Sequence, residues 1–437
     1  MSISLQEARE ALGEFADRKI RFRDQVRFLA GERKTLIVNM ETRFNMFLSN
    51  EVLDIFRGAE SEDYTYIQLA EAVQEEDREY ICDVVKELVN HYLVEGSVPP
   101  FDSKWVEITL DITGRCNLRC KHCCVSAGEA IKGEDLSTEE LKNILDKIID
   151  FDPKKISLSG GEPLIRKDFE ELITYIREKY SGPLELMTNG TLITREMARF
   201  IGKNFASVSV SLDGIDEATC SIIRGAGTFD ACMKGIRLLK EETSCELSVS
   251  MVVCQENEKY VKDFHAMAQE LGAHPIARDL SPSERLSRNE DSIHFPIPEK
   301  PLSGEALAKY LEEYKKRKIH KKPPETFSCQ AARRQFEIDY VGDIYPCPAL
   351  MDDEFLMGNI RRIDDFSKFI LDREYLSSDG YKNFRKYLPY EIERCKDCNK
   401  NLLCGTCVAM MRDAMKMGTL FDHCEENKCI YDLYWED

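Results

Sequence analysis

The chain has 437 residues, 43% of them hydrophobic, so it can form two or three domains with a sizeable core, and its composition excludes a disordered protein. Its 60 lysines and arginines are outnumbered by 79 aspartates and glutamates, for a formal net charge of −19. This balance argues against nonspecific binding to nucleic acid or to an anionic membrane, and it is compatible with a basic peptide partner.

The start of the chain and its cysteine content predict the compartment. The N-terminal segment, MSISLQEAREALGEF, is charged from residue 7 onward and lacks the apolar stretch of a signal peptide. No later apolar run in the sequence approaches the length of a membrane span. We therefore expect a cytoplasmic protein, in which seventeen cysteines indicate metal ligation before disulfides.

Residues 1–100 are predicted to form a small domain of their own. A charged helix comes first, followed by a hairpin-like apolar stretch over 34–47. Two helical patterns cover 50–56 and 79–93, the second with apolar residues at helical spacing. Gly96 and the following proline pair then indicate a linker, which separates this domain from the rest of the chain.

Strand and helix patterns alternate from residue 104 to about residue 280. The predicted strands cover 105–112, 155–158, 184–187, 206–212, 246–253 and 275–280. The first helix between them opens with a capping box of Ser137 and Glu140. Such alternation predicts parallel strands with right-handed crossovers, and sites in such folds gather at the carboxyl ends of the strands.

Three cysteines lie in one short loop directly after the first of these strands. Cys116, Cys120 and Cys123 occur in the run CNLRCKHC. Closely spaced thiolates hold iron-sulfur clusters, and three ligands leave one iron of a cubane [4Fe-4S] cluster open to a small molecule. A structural zinc site usually has Cys-x2-Cys pairs, which this spacing fits poorly. Cys124 is surplus and is interpreted as a buried or incidental thiol.

Glycine-rich and polar segments follow the next strands. The run GGEP at 160–163 has glycines that let the backbone approach a ligand and an acid that can accept from an ammonium group. Strand alternation places Ser209, Ser211 and Asp213 on one face, where small hydroxyls suit contacts with a ribose or a carboxylate.

The segment from Cys329 to the end of the chain is rich in cysteine and poor in periodic patterns. Its cysteines are Cys329, Cys347, Cys395, Cys398, Cys404, Cys407, Cys424 and Cys429. Metal, more than an apolar core, is predicted to organise this segment. The four cysteines from Cys395 to Cys407 also fit a zinc ribbon, so zinc stays an alternative here.

The cysteine loop with the GGEP run resembles the signature of radical S-adenosylmethionine (SAM) enzymes, and the tail resembles their SPASM extension. The resemblance implies an α/β fold: a partial (β/α)6 TIM-like barrel with an N-terminal winged-helix-like recognition domain and a cysteine-rich C-terminal SPASM domain. The implied bounds are 1–100 for the recognition element, 104–318 for the barrel with a bridging helix, and 319–437 for the SPASM domain.

The resemblance also implies the cofactor chemistry. SAM would chelate the open iron, and cleavage of its sulfonium would release a 5′-deoxyadenosyl radical that removes hydrogen from unactivated carbon. The residues implied to contact SAM are Gly160, Gly161, Glu162, Pro163, Asn189, Ser209, Ser211, Asp213, Arg224 and Val252. The catalytic base remains unidentified.

Three [4Fe-4S] clusters are implied, one that binds SAM and two auxiliary ones. SAM completes the first cluster, and the eleven patterned cysteines suffice for the remaining positions. The distal cluster is assigned Cys395, Cys398, Cys404 and Cys424, and the proximal cluster Cys329, Cys347, Cys407 and Cys429. The gap between Cys404 and Cys407 is one residue shorter than is typical of the family, so the ligand pairing stays open.

Within the family, the layout and length resemble most the streptide-forming branch, which joins a lysine carbon to a tryptophan ring carbon in a ribosomally made peptide. The N-terminal elements resemble a winged-helix element that binds the peptide's leader as an added strand. A winged helix that only braces the catalytic domain is the alternative. The expected partners are this precursor peptide and an electron-donor protein of the flavodoxin or ferredoxin type.

The sequence is also compatible with other functions. A thioether-forming maturase of the sactipeptide or ranthipeptide type has the same architecture, and a sulfatase-type maturase is more distant. An iron-sulfur redox sensor that catalyses nothing is the non-enzyme alternative. The residues implied to contact SAM argue against a sensor, because a sensor needs no SAM pocket.

Overall fold

The computed structural model describes residues 2–97, 101–129, 132–296, 300–316, 329–404 and 407–436. Two units are defined, the first from residues 1–100, 300–329 and 388–437, the second from 101–299 and 330–387. These units cut across the three predicted domains, whose bounds remain a prediction. Pro99 and Pro100 of the predicted linker, and residues 317–318 at the end of the implied barrel segment with its bridging helix, lie outside the described residues.

The first unit begins with a helix and a small antiparallel sheet. A capping box between Ser4 and Glu7 starts α1 (Leu5–Leu12), because both side chains bond the backbone of the other residue. The sheet has the order β1-β2-β3, with β1 at Val26–Ala30, β2 at Lys34–Asn39 and β3 at Asn45–Ser49. The helices that follow are α2 (Asn50–Ser61), α3 (Tyr66–Ala72) and α4 (Arg78–Asn90).

Both faces of this sheet are covered by apolar side chains. Strand alternation places Ile37 in the core formed with the N-terminal helices, whereas Leu36 and Val38 belong to a second cluster. That second cluster includes Leu402 and Leu403 from the cysteine-rich segment. The N-terminal sheet and the C-terminal segment therefore share a core inside one unit, which the sequence did not predict.

The second unit contains a nine-stranded sheet in the order β12-β11-β10-β4-β5-β6-β7-β8-β9. The six predicted parallel strands are confirmed: β4 (Glu107–Asp111), β5 (Lys155–Ser159), β6 (Leu184–Thr188), β7 (Ser207–Ser211), β8 (Glu246–Val253) and β9 (His274–Asp279). Their number and order agree with the predicted α/β fold with a partial barrel. The winged-helix identity of the N-terminal elements stays a prediction.

Three strands that the sequence did not predict extend the sheet beyond β4. They are β10 (Gln335–Ile338), β11 (Asp343–Tyr345) and β12 (Gly358–Asn359). The first pairs in parallel with β4, so that Glu337 lies opposite Thr109, and the other two are antiparallel. Strands of four residues or fewer contain too few alternations to be recognised in a sequence.

Helices connect the strands and continue into the tail. The bounds are α5 (Thr138–Phe151), α6 (Phe169–Lys179), α7 (Arg195–Asn204), α8 (Glu217–Arg224), α9 (Thr228–Glu242), α10 (Val261–Glu270), α11 (Glu284–Ser287), α12 (Gly304–Lys316), α13 (Phe366–Leu371), α14 (Asp379–Arg385), α15 (Val408–Met417) and α16 (Cys424–Asp432). Among the described helices, none has both the length and the apolar character needed to cross a bilayer.

The parallel strands present one apolar and one polar face. On β4, Ile108 and Leu110 are fully buried, whereas Thr109 and Asp111 alternate with them. The same alternation continues on the neighbouring strand, where Thr109 lies opposite Ser157. The polar face ends, at the carboxyl end of β4, immediately before the cysteine loop.

Candidate iron-sulfur and SAM site

A partly buried carboxylate, that of Asp135, holds the base of the cysteine loop. Asp135 Oδ1 accepts a hydrogen bond from Gly114 N at 2.7 Å, and its other oxygen accepts from the Thr113 hydroxyl and from Arg115 Nε. Gly128 N, from the far side of the loop, donates to Gly114 O at 2.6 Å. The loop is therefore closed at its base by protein groups alone. Asp135 was not predicted from the sequence, because nothing in its local pattern marks it.

Each sulfur of the three loop cysteines accepts a hydrogen bond from a protein N–H group. The pairs are Leu118 N to Cys116 Sγ at 3.4 Å, Arg224 Nη1 to Cys120 Sγ at 3.8 Å and Ala127 N to Cys123 Sγ at 3.3 Å. Hydrogen bonds to the sulfurs of an iron-sulfur cluster help to set its potential. The donors present therefore fit a cluster held by these three thiolates.

The three thiols are also close enough to influence one another. Burial raises the pKa of Cys120 to about 11, Arg224 acts against this rise, and Cys123 and Cys116 add to it. Cys124 is exposed as a whole residue, but burial of its thiol raises the pKa of that group to about 12. The structure therefore brings the predicted triplet together, and the interpretation of Cys124 as a surplus thiol stays a prediction.

The GGEP run packs against the start of the cysteine loop. Gly160 has φ = +128°, and a Cβ there would lie 2.3 Å from Thr113 O. A Cβ at Gly161 would lie 2.1 Å from Arg115 O, and Gly161 N donates to Thr113 O at 2.8 Å. The two glycines are therefore required for contact between backbone segments, in addition to any contact with a ligand. Pro163 begins the short 3-10 turn that follows.

The carboxylate of Glu162 is fully buried and accepts three hydrogen bonds from the protein. The donors are Thr188 Oγ1 at 2.7 Å, Asn189 N at 2.7 Å and Leu164 N at 3.1 Å. Burial raises its pKa, although these hydrogen bonds act in the opposite direction. Glu162 thus connects the loops after β5 and β6, and the expected contact with an ammonium group stays a prediction.

Asn189 links the loop after β6 to the first cysteine. Its Nδ2 donates to Asn117 Oδ1 at 2.9 Å and lies 3.9 Å from Cys116 Sγ. Its Oδ1 accepts from Thr191 N and Oγ1. Asn117 in turn donates to Thr191 Oγ1 at 2.9 Å, so the ring of amide and hydroxyl groups is closed.

Asp213 is a buried carboxylate between the guanidinium of Arg224 and the imidazole of His122. Its Oδ2 lies 2.6 Å from Arg224 Nε and 2.5 Å from His122 Nε2, and its Oδ1 accepts from Val252 N at 2.7 Å. Burial raises the pKa of Asp213, but Arg224 and His122 outweigh this effect, so that the pKa lies well below its usual value. Asp213 thereby fixes Arg224 beside Cys120.

Ser209 and Ser211 lie on β7, as predicted, and alternate along one face. Ser209 is buried and lies opposite Ser248, whereas Ser211 is half-buried and lies opposite Ser250. Both hydroxyls stand near the carboxyl end of the strand. Their contact with SAM stays a prediction.

Four tail cysteines influence one another within the first unit. Burial raises the pKa of Cys404 to about 12, and the charges of Cys398, Cys424 and Cys395 add to this rise. Cys424 begins α16, so a helix twenty residues downstream of Cys404 supplies the fourth thiol. This is the set assigned to the distal cluster from the sequence, although its role as ligands remains a prediction. Cys329 lies in the first unit and Cys347 in the second. The assignment of cysteines to the proximal cluster also stays a prediction.

The geometry of these cysteine sets differs from that of a single-ion site. Within the described ranges, no three histidine, cysteine or acidic side chains lie close enough together to bind one metal ion. A cubane cluster does not require that convergence, because each cysteine binds a different iron atom.

Comparisons with known proteins agree with this arrangement. Residues 110–268 match the family model described as Radical SAM superfamily, and residues 329–399 match the SPASM model, described as an iron-sulfur cluster-binding domain. The mycofactocin maturase MftC of Mycolicibacterium smegmatis is 30% identical over 317 residues, which cover 69% of this chain and 78% of that protein.

Two solved structures share the fold. The crystal structure of Streptococcus suis SuiB bound to S-adenosylmethionine has a TM-score of 0.51 at 16% identity, and the match covers 90% of this chain and 96% of that chain. Native anSMEcpe with bound AdoMet has a TM-score of 0.51 at 19% identity, over 76% of this chain and 97% of that chain. At such identities the likeness concerns the fold alone.

Proposed function

Because the chain belongs to the radical SAM superfamily and carries a SPASM iron-sulfur domain, we propose that it is a maturase that modifies a ribosomally made precursor peptide. It is a radical SAM enzyme, with SAM and [4Fe-4S] clusters as its cofactors. The similarity to the mycofactocin maturase MftC supports the assignment as a maturase. The observation that carries the proposal is the cysteine triplet, whose three sulfurs each accept an N–H donor beside the GGEP turn.

The protein groups have separate tasks in this proposal. When bound, SAM and the cluster at the loop supply a 5′-deoxyadenosyl radical, and the auxiliary clusters supply sites for electron transfer. Cys116, Cys120 and Cys123 would hold the first cluster. Arg224, anchored by Asp213, keeps a cation next to the Cys120 sulfur and in reach of a carboxylate ligand.

The specific reaction that we propose is a carbon–carbon cross-link between a lysine and a tryptophan of the peptide. It is supported by the order of the N-terminal elements, parallel-stranded barrel and SPASM tail, and by the length of the chain. A thioether link would require the same radical and the same architecture. The two products differ in which residues they join, so fragmentation of the modified peptide distinguishes them.

We also propose where the leader of the peptide binds. β3 is an edge strand of the N-terminal sheet, and strand addition requires such an edge. Phe44, next to it, is 51% exposed and packs edge-on against the rings of His91 and Tyr92. An exposed aromatic beside an open strand edge is suited to hold a side chain of the added strand. A flavodoxin or ferredoxin would donate the electron that starts each turnover.

The activity is tested anaerobically with SAM and dithionite. We expect 5′-deoxyadenosine and methionine as products. A peptide encoded beside the gene should then lose a pair of hydrogen atoms, with a link between lysine and tryptophan by mass spectrometry. A reconstituted protein that never cleaves SAM would contradict the enzyme, and a link at cysteine would replace the cross-link by a thioether.

Leader binding is tested by fluorescence anisotropy with the labelled leader of that peptide. Phe44→Ala should weaken binding about tenfold, because a buried aromatic contact is worth roughly 1–2 kcal/mol. The matched control is Tyr80→Ala, since Tyr80 is 52% exposed on α4 of the same unit. Equal affinity of both variants and the wild type would place the leader elsewhere.

A further inference from the structure

Two acidic side chains of neighbouring parallel strands meet at the carboxyl end of the sheet in the second unit. Asp111 is the last residue of β4, and Glu337 lies on the adjacent β10. Their exposed fractions are only 3% and 1%. The two carboxyl groups lie close enough together to act on each other's pKa. Because an ionised carboxylate can only accept hydrogen bonds, the two groups can bond one another only when one of them carries a proton.

The protein supplies few other donors to this carboxyl pair. Ser159 bonds Asp111, and Thr109 bonds Glu337. No N–H or O–H group of the described residues reaches Glu337 Oε2, which leaves a proton on the pair as its donor. Burial and the charge of Asp339 raise the pKa of Asp111 to about 7, and burial and Asp111 raise that of Glu337 well above its usual value.

The surrounding charges do not neutralise the pair. Asp339, the residue after β10, forms an ion pair with Lys132, whose Nζ lies 2.9 Å from Oδ2. Lys132 also donates to the hydroxyl of Tyr345. The lysine is thus engaged with a third carboxylate, while the carboxyl pair relies on its own proton. Burying two carboxyl groups destabilises the fold, and apolar residues at these positions would be more stable. Their presence therefore indicates a function.

The position of the pair connects it to the proposed site. Cys116 lies in the loop that follows Asp111. Burial raises the pKa of the Cys124 thiol, and the charges of Asp111 and Glu337 add to this rise. The carboxyl pair therefore lies near the cysteine loop, at the end of the sheet where parallel-stranded folds perform chemistry.

We propose that the Asp111–Glu337 pair accepts the proton that the peptide loses when it is oxidised. This inference rests on the proposed function. A cross-link removes two hydrogens from the peptide. One leaves as a hydrogen atom and forms 5′-deoxyadenosine, the new bond forms, and the other leaves as a proton and an electron. The carboxyl pair would take the proton, and an auxiliary iron-sulfur cluster, which the tail cysteines would hold, would supply the acceptor for the electron.

The shared proton is tested by infrared spectroscopy of the reconstituted protein without peptide. The wild type should show the carbonyl stretch of a protonated carboxyl group at neutral pH, and the band should vanish as the pH rises. Glu337→Gln should remove the band, because the amide then donates to Asp111. The control Glu107→Gln changes the other end of β4 and should keep the band. A band retained in Glu337→Gln, or absent from the wild type, would overturn the proposal.

The second readout is the amount of modified peptide per 5′-deoxyadenosine, with the peptide that the wild type modifies. Glu337→Gln should lower this ratio about a hundredfold, the lower range for loss of a general base. Glu107→Gln should match the wild type. Asp111→Asn serves as the second variant if Glu337→Gln does not fold, which circular dichroism reports. A ratio within about threefold of the wild type would refute the role as proton acceptor.

The pH profile separates this role from a structural one. The pair can accept a proton only above its pKa, so the wild-type ratio should fall as the pH is lowered through about 7. The groups that share this environment are Asp339, Lys132 and Cys124. The acid limb should disappear in Glu337→Gln. A wild type that cleaves SAM but modifies no peptide would refute the proposed function, whereas the infrared result would still decide on the shared proton.

Discussion

The cysteine loop and the cysteine-rich tail, the two regions proposed to hold clusters, are organised in different ways. In the loop, each of three sulfurs accepts a hydrogen bond from the protein, and polar groups such as Asp135 and the buried Glu162 fix the backbone around them. In the tail, Cys395, Cys398 and Cys404 lie in consecutive turns; burial raises the pKa of Cys395 and of Cys404, and the charge of Cys398 adds to both rises. Thiols lie close together in both regions, and in the loop hydrogen bonds from protein donors also hold the three sulfurs.

This difference indicates what each region gains from metal. Thiolates that repel one another are brought together at a cost in free energy, which a bound cluster recovers. We therefore expect the fold of the tail to depend on its iron. The loop should keep its conformation without iron, because its hydrogen bonds persist. The following experiments test this contrast.

The largest effect is expected from the loop. Cys120→Ala should abolish SAM cleavage completely, because a cluster with only two protein ligands is not retained. The control Cys245→Ala changes a thiol whose nearest contact is the Phe205 carbonyl, and it should cleave SAM like the wild type. Formation of 5′-deoxyadenosine by Cys120→Ala would contradict the assignment of the cluster.

The tail should respond with a loss of structure. Cys404→Ala should remove about four irons per chain and raise hydrogen exchange throughout 388–436. In Cys120→Ala, by contrast, exchange in β4 and the cysteine loop should change little. If both variants lost protection equally, the contrast between a preorganised loop and a metal-dependent tail would be wrong.

A smaller effect is expected at the buried ion pair. Asp213→Asn should cost roughly 3–5 kcal/mol of local stability, because Arg224 would remain buried without its carboxylate. Hydrogen exchange of β7 and α8 measures this cost. As a control, Asp146→Asn removes a half-exposed pair with Lys179 and should cost less than about 1 kcal/mol. If Asp213→Asn and Asp146→Asn cost similar free energies, Asp213 does not anchor Arg224.

The smallest effect concerns how stability depends on pH through the carboxylate of Asp168, the residue before α6. Arg166 and Thr138 bond Asp168 and, against the effect of burial, lower its pKa. A lowered pKa stabilises the fold above about pH 4, and this contribution is lost as the pH falls. Asp168→Asn should therefore cost about 1–2 kcal/mol at pH 7, and the difference in melting temperature should shrink towards pH 3. A difference that is independent of pH would exclude this carboxylate as its source.

The shared core of the first unit sets a limit on truncation experiments. Leu36 and Val38 pack with Leu402 and Leu403, and Phe47 lies edge-on to Trp435 with ring centroids 5.5 Å apart. Deletion of residues 1–100 would expose this apolar surface in the cysteine-rich segment. Single substitutions at the sheet edge therefore report on leader binding more cleanly than a deletion.

The sequence alone determined the elements whose signals are local. Apolar alternation located the six parallel strands of the second unit to within two residues at each end, because each strand is long enough to show its period. The triplet Cys116, Cys120 and Cys123 and the GGEP run identified the superfamily, because these ligands are close in sequence. Residue type and spacing are sufficient where the partners are neighbours along the chain.

Only the tertiary structure decided which distant residues meet. Asp135 closes the cysteine loop, Asp213 anchors Arg224, and Glu162 is saturated by protein donors, although none of these contacts has a local signature. The carboxyl pair exists because the four-residue strand β10 adds beside β4, more than two hundred residues away in sequence. Strand pairing and burial are properties of the whole fold, and so are the protonation states that depend on them.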